Sequence, residues 1–193
     1  DGSALAPVVD RAIGANIPVV IIDSGIETEG YLSFMATDNY AAAAIAADKM
    51  AELVGETGTV AIIMAQPGAG TTIQRTAGFE DRIKMKYPNM SIITVQYSNG
   101  DKSLALNQAT DIMTANPELV GFYGGNEGST VGIARAIEET GNVGKVKLVG
   151  FDKSADIIKG IESGVIQASM VQNPEIMGSK AVEVAYKFII EGV

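Results

Sequence analysis

Four acidic side chains, Asp23, Asp38, Glu127 and Asp152, sit where a carboxylate could do chemistry. Two of them end apolar runs: in "PVVIIDSG", Val19 to Ile22 lead into Asp23, and in "LVGFDKS", Leu148 to Phe151 lead into Asp152. Paired carboxylates can serve as general acid and base. They can also accept hydrogen bonds from neighbouring hydroxyls of a polyol, stop a turn or cap a helix. The chain has no His and no Cys. Zinc sites built on those ligands are therefore excluded, as are Ser-His and Cys-His nucleophiles. An enzyme would be left with carboxylates, Lys, Tyr or a bound cofactor.

Two glycine-rich stretches, "QPGAGTT" and "GGNEGST", resemble phosphate-binding turns. Neither carries the Gly-Lys-Ser/Thr ending of a P-loop, and Ile73 stands where a dinucleotide fingerprint needs its third glycine. They read as tight turns into helix N-termini. Polyol recognition fits the remaining residues better. Planar groups that donate and accept in pairs grip vicinal hydroxyls, and Asp23, Asn126, Asp152 and Gln172 all fall at strand ends. Arg75 lies in the first turns of the helix after "GAGTT", within reach of the same crevice. Each of the five also has a structural reading, such as Asp152 capping a helix with Ser154, or Gln172 tying backbone across a hinge.

The elements that must position these residues follow a simple rhythm. Short Val/Ile-rich runs at 17–23, 59–65, 91–96, 119–123, 147–151 and 168–172 predict strands. Helical patterns cover 4–15, 40–54, 72–87, 103–115, 129–140, 154–162 and 174–191. Asn39 or Asp38 can cap the second helix and Gly55 can close it. Gly141 suits a left-handed helix end, and Pro174 suits a first helical turn. Strand–helix alternation with strands apolar on consecutive residues predicts α/β architecture and parallel sheet. In such sheets ligands bind beyond the carboxyl ends of the strands, which is where the polar residues gather.

The bulk properties agree. The 193 residues are 47% hydrophobic and 19% charged, with a net charge of −9. A sizeable core is possible, and the acidic balance opposes a nucleic-acid surface. No apolar run is long enough to span a bilayer. No signal peptide is visible; the chain opens at Asp1-Gly2 straight into a helix pattern, and more chain is expected upstream.

Taken in order, "IPVVIID", "ATDNY", Arg75 with Gly78-Phe79, "NPELVGFYGGNEGSTVGIARAI", "VGFDKS" and "IQASMVQNPEIMG" resemble the periplasmic sugar-binding proteins of ABC importers, ribose-binding type, over essentially the whole chain. The resemblance implies the type I periplasmic-binding-protein fold, two parallel-sheet lobes joined by a hinge. Residues 38–172 would form the C-terminal lobe, and 1–37 with 173–193 an incomplete N-terminal lobe. It assigns sugar contacts to Asp23, Arg75, Asn126, Asp152 and Gln172. Ser24 stands where ribose binders often carry a second arginine, and Gly100 where they often carry a stacking aromatic; Tyr97 or Tyr123 is a candidate replacement ring. The implied partners are a monosaccharide and the permease of an ABC transporter, with no cofactor, no metal and no catalysis. A second chain segment or a dimer is expected to complete the first lobe, or else disorder is expected there. The implied location is periplasmic or extracellular, with lipid anchoring one arrangement. The effector domain of a galactose- or lactose-repressor-type regulator shares the fold and is the main alternative. A sensor ectodomain is a third reading, and an enzyme the last.

Overall fold

The computed structural model describes residues 2–192. Its elements run α1 (Gly2–Gly14), β1 (Val20–Ile22), β2 (Ser33–Met35), α2 (Asn39–Val54), β3 (Gly58–Met64), α3 (Gly70–Lys86), β4 (Met90–Tyr97), α4 (Lys102–Ala115), β5 (Leu119–Gly124), α5 (Glu127–Glu139), β6 (Lys147–Phe151), α6 (Ala155–Glu162), β7 (Ala168–Met170) and α7 (Pro174–Tyr186), followed by a π-helical turn (Lys187–Glu191).

Five strands form one parallel sheet in the order β4-β3-β5-β6-β7. Side chains of the central strands β3, β5 and β6 divide between two different cores. Val60, Ile62 and Met64 of β3 pack with Ala43, Ala47 and Met50 of α2 and Phe79 and Ile83 of α3. Ala61 and Ile63 of the same strand pack with Ala105 and Ile112 of α4 and Ile133 and Ile137 of α5. Consecutive residues are therefore all apolar because both faces are covered. The β3 strand feeds β4 on one side while β5, β6 and β7 build outward on the other. The sheet thus has its switch point between β3 and β5, where an open crevice forms at the carboxyl ends.

Helix ends follow the punctuation in the sequence. Asp38 Oδ1 accepts from Ala41 N–H (3.0 Å), so Asp38 is the cap of α2, and Asn39 is freed for another partner. Gly55 closes α2 in a left-handed conformation. Gly78 lets α3 lie against α2: a Cβ there would stand 2.2 Å from Tyr40 O.

A second, smaller sheet pairs β1 with β2 in parallel, Val20 opposite Ser33 and Ile22 opposite Met35. Helices α1 and α7 accompany it. The β2 strand was not expected, since "SFM" carries no β-branched residue and no alternation; pairing with β1 makes it a strand. Three sequence expectations are corrected in length. The 17–23 strand shrinks to Val20–Ile22, the 168–172 strand to Ala168–Met170, and the single helix to 191 ends at Tyr186 before the π-helical turn. The chain passes between the two sheets twice, at 36–38 and 171–173.

Candidate functional site

Asp23 and Asp152 are placed by one repeated backbone device. Each follows a strand and takes a left-handed conformation, φ 67° and 75°. That region is sterically poor for most residues but tolerated by Asp. In each case the aspartate's N–H still donates to the end of the neighbouring strand, Asp23 to Met35 O (2.9 Å) and Asp152 to Met170 O (2.8 Å). The chain then bends away, and the carboxylate stands at the strand's carboxyl edge. Helix α6 is capped by Ser154, whose Oγ accepts from Ile157 N–H (3.3 Å). Asp152 is therefore free of capping duty on α6.

Its two oxygens are engaged elsewhere. Oδ2 accepts from Glu127 N–H (2.9 Å) at the start of α5, and Oδ1 from Gln172 Nε2 (2.6 Å). A carboxylate at a helix N-terminus is favoured by the helix dipole as well as by the bond. Gln172 Oε1 in turn accepts from Thr37 Oγ1 (2.9 Å). Both chain crossings between the sheets are thus linked to Asp152.

Arg75 is 5% exposed. Its Nε donates to Asn39 Oδ1 (2.8 Å), its Nη1 donates to Gly125 O (2.9 Å), and the guanidinium lies 3.6 Å above the Phe151 ring. Burial lowers its pKa, opposed by the nearby charge of Asp152, then Tyr123 and Asp23. Arginine remains protonated in such a setting, and the aromatic face adds attraction. Asn126 caps α5: its Oδ1 accepts from Ser129 N–H (3.2 Å) and Ser129 Oγ (2.5 Å).

A cleft of about 420 Å³ opens between the two sheets. Ile22, Asp23, Pro174 and Met177 line it from the smaller unit, Glu127, Asp152 and Lys153 from the larger, and Val171 and Gln172 from the crossing between them. Asp23, Asp152 and Gln172 therefore meet in one cleft. Arg75 and Asn126 do not line it. They stand alongside, Arg75 behind Gly125 and Phe151, and Asn126 immediately before Glu127. Glu127, read from sequence as a helix-stabilising acid, lies in the first turn of α5, forms an ion pair with Lys102 (3.1 Å) and faces the cleft. Tyr123 cannot supply a stacking surface, because it is fully buried against Phe79, ring centroids 4.4 Å apart. Tyr97 is 38% exposed on β4.

Sequence reasoning missed Thr37, Lys153, Pro174 and Met177 as neighbours of this site. Thr37 and Lys153 lie within the quoted motifs "ATDNY" and "VGFDKS", and Pro174 and Met177 within "IQASMVQNPEIMG", so membership of those motifs was the available signal. Among the described residues, no group of three or more His, Cys, Asp or Glu could hold a metal ion, and no helix is long and apolar enough to cross a membrane.

Comparison with known proteins places this arrangement. The periplasmic binding protein domain matches residues 1–192. The ribose import binding protein of Bacillus subtilis is 28% identical over 185 residues, covering 96% of this chain and 59% of that protein. An ABC transporter solute binding protein from Agrobacterium vitis, solved with bound D-fucose, superposes with a TM-score of 0.95 at 39% identity, covering 99% of this chain and 67% of the other. A carbohydrate transporter solute binding protein from Agrobacterium radiobacter, in complex with D-arabinose, gives 0.90 at 37% identity, covering 96% and 64%. The chain thus spans about three fifths of the B. subtilis relative's length. With two parallel sheets, a cleft between them and a match across almost every residue, the chain belongs to the periplasmic binding protein domain family.

Proposed function

We propose that this chain is the larger part of a receptor that binds a monosaccharide, pentose or hexose, and delivers it to the permease of an ABC importer. The observation that carries this reading is the cleft in which Asp23 and Asp152 meet from two separate sheets. Carboxylates on opposite walls accept from hydroxyls at two ends of a small polyol, and the Gln172 amide adds a donor. The same ligand classes are named for the two Agrobacterium structures, and ribose for the B. subtilis relative.

In this reading residues 38–172 form one lobe, and 1–37 with 173–193 belong to the other. The crossings at Thr37 and Gln172 are the hinge. Sugar bridging the walls stabilises the closed form, which the permease recognises. Exported, periplasmic location follows from the same family. A further chain segment or a second copy covers the exposed faces of the smaller unit. Binding proceeds without turnover: both oxygens of Asp152 already accept protein N–H groups, which suits gripping better than proton abstraction.

Calorimetric titration of the full protein with D-ribose, D-fucose and D-arabinose tests the reading. Saturable binding of at least one is expected. Asp152→Ala should weaken it by about 1.5–3 kcal/mol, the worth of a hydrogen bond to a charged group. No binding to any sugar, with tight binding of another ligand class, overturns the reading.

A further inference from the structure

Two amides, Gln172 in the cleft and Asn126 beside it, are each held in one orientation by protein groups. Asn126 Oδ1 accepts from both Ser129 N–H (3.2 Å) and Ser129 Oγ (2.5 Å). Were the amide turned over, its NH2 group would face the Ser129 N–H. Ser129 is fully buried, and its Oγ lies 2.9 Å from the equally buried Ser98 Oγ. Ser98 Oγ also donates to Met64 O (3.2 Å). Close packing holds these groups together. Gly128 sets the start of α5 against the loop that carries Ser98, and a Cβ there would stand 2.0 Å from Gly100 O.

Gln172 repeats the logic with different residues. Thr37 Oγ1 donates to Gln172 Oε1 (2.9 Å), and Gln172 Nε2 donates to Asp152 Oδ1 (2.6 Å). A reversed amide would press two acceptor oxygens together at that distance. In both amides the carbonyl is occupied by protein and the nitrogen is left to donate. Among the described residues Asn126 Nδ2 has no hydrogen-bond partner. Gln172 Nε2 keeps its second N–H.

We infer that Thr37 and Ser129 are positioning residues: Thr37 holds the Gln172 amide that Asp152 orients, so that its remaining N–H donates into the cleft, and Ser129 holds Asn126 beside it. Amides then only donate and carboxylates only accept. The ligand must offer hydroxyl protons to Asp23 and Asp152, and an oxygen lone pair to Gln172. A deoxy position opposite Gln172 is poorly tolerated, because an aligned donor is left unpaired. This rests on the sugar-binding reading above.

Two measurements on the full protein separate this inference from that reading. In the ligand-free protein, NMR should show one sharp Gln172 NH2 pair, doubled or broadened in Thr37→Val and restored in Thr37→Ser. An unchanged pair in Thr37→Val overturns the inference whatever the ligand. In titrations with D-ribose, D-fucose and D-arabinose, Thr37→Val should weaken the bound sugar about tenfold, and Thr37→Ser about twofold or less. Thr37→Val, at a half-buried crossing residue, carries the binding test; Ser129→Ala, which touches Asn126 beside the cleft, should change affinity about twofold or less. Wild-type binding that Thr37→Val leaves unaltered overturns the positioning role. Failure of wild type to bind any of the three sugars, with the NMR result as expected, refutes the sugar reading and leaves the amide lock standing.

Discussion

The larger and smaller units use the same local device and differ in everything that supports it. In both, a parallel strand ends on an aspartate in the left-handed region whose N–H reaches the neighbouring strand. Around Asp152 the sheet has five strands and is covered on both faces. Around Asp23 it has two strands, and across residues 2–37 and 173–192 only Ala6 is buried. Val182 is 70% exposed and Ile190 64%. A two-stranded sheet is marginal without further cover, so stability resides in the larger unit. Within residues 2–192 the two carboxylates are thus carried by one wall with its own core and one whose apolar faces are open.

Truncation at the centre of the larger core gives the sharpest test of the contrast. Phe79, fully buried and stacked on Tyr123, should cost about 3–5 kcal/mol when replaced by Ala, measured by denaturant unfolding. A loss below 1 kcal/mol would break the comparison.

Ion pairs sharpen it. Asp48 accepts from Arg82 through both oxygens (2.8 and 2.6 Å), from Tyr87 (2.6 Å) and from Lys86 (3.2 Å). Its pKa is pushed down, chiefly by the Arg82 bonds. A carboxylate with a depressed native pKa adds stability above its unfolded value, near 4, and loses it as pH falls towards the native value. Wild type should therefore exceed Asp48→Asn in stability at pH 7, with the gap closing below about pH 4. In the smaller unit, Glu183 is lowered to about 2 by Lys180 and then Lys187. Its pairs are surface pairs on one helix, so added salt should erase the Glu183→Gln difference and leave much of the Asp48 difference.

Helix capping gives a smaller effect. Asn173 Oδ1 accepts from Ile176 N–H (3.1 Å) at the start of α7. Asn173→Ala should cost about 1 kcal/mol if α7 melts with the whole, and nothing in the main transition if it melts first. Calorimetry distinguishes the two. Smallest of all, Val182→Ser should change unfolding by no more than about 0.5 kcal/mol in this chain. A large loss would show that the face is already covered, for instance by a second copy.

Much of the larger unit was legible in the sequence because its signals are local. The β6 strand, "KLVGF", is apolar and bounded, and its limits match the reading. Helices α2, α4, α5 and α6 begin on a capping Asp, Asn or Ser. By contrast β2 is three residues long and exists through pairing with β1, which no local pattern announces. The site divides the same way. Strand ends pointed to Asp23, Asp152 and Gln172, which line one cleft, and also to Asn126, which stands beside it. Thr37 and Ser129 look like ordinary polar residues until their partners, 135 and 3 positions away, are known.

What the sequence determined alone is the class of structure and the chemistry on offer. Alternating strands and helices dictate parallel sheet, and the absence of His and Cys leaves carboxylates, amides, Lys, Arg and Tyr as the polar groups on offer. What only the tertiary structure decided is which atoms of those groups remain free. Asp152 could have capped α6, and the amides could have faced either way. Ser154 took the cap, while Ser129 and Thr37 took the carbonyls. A hydrogen bond occupies one donor and one acceptor, so the polarity left for a ligand depends on contacts that only the folded chain brings together.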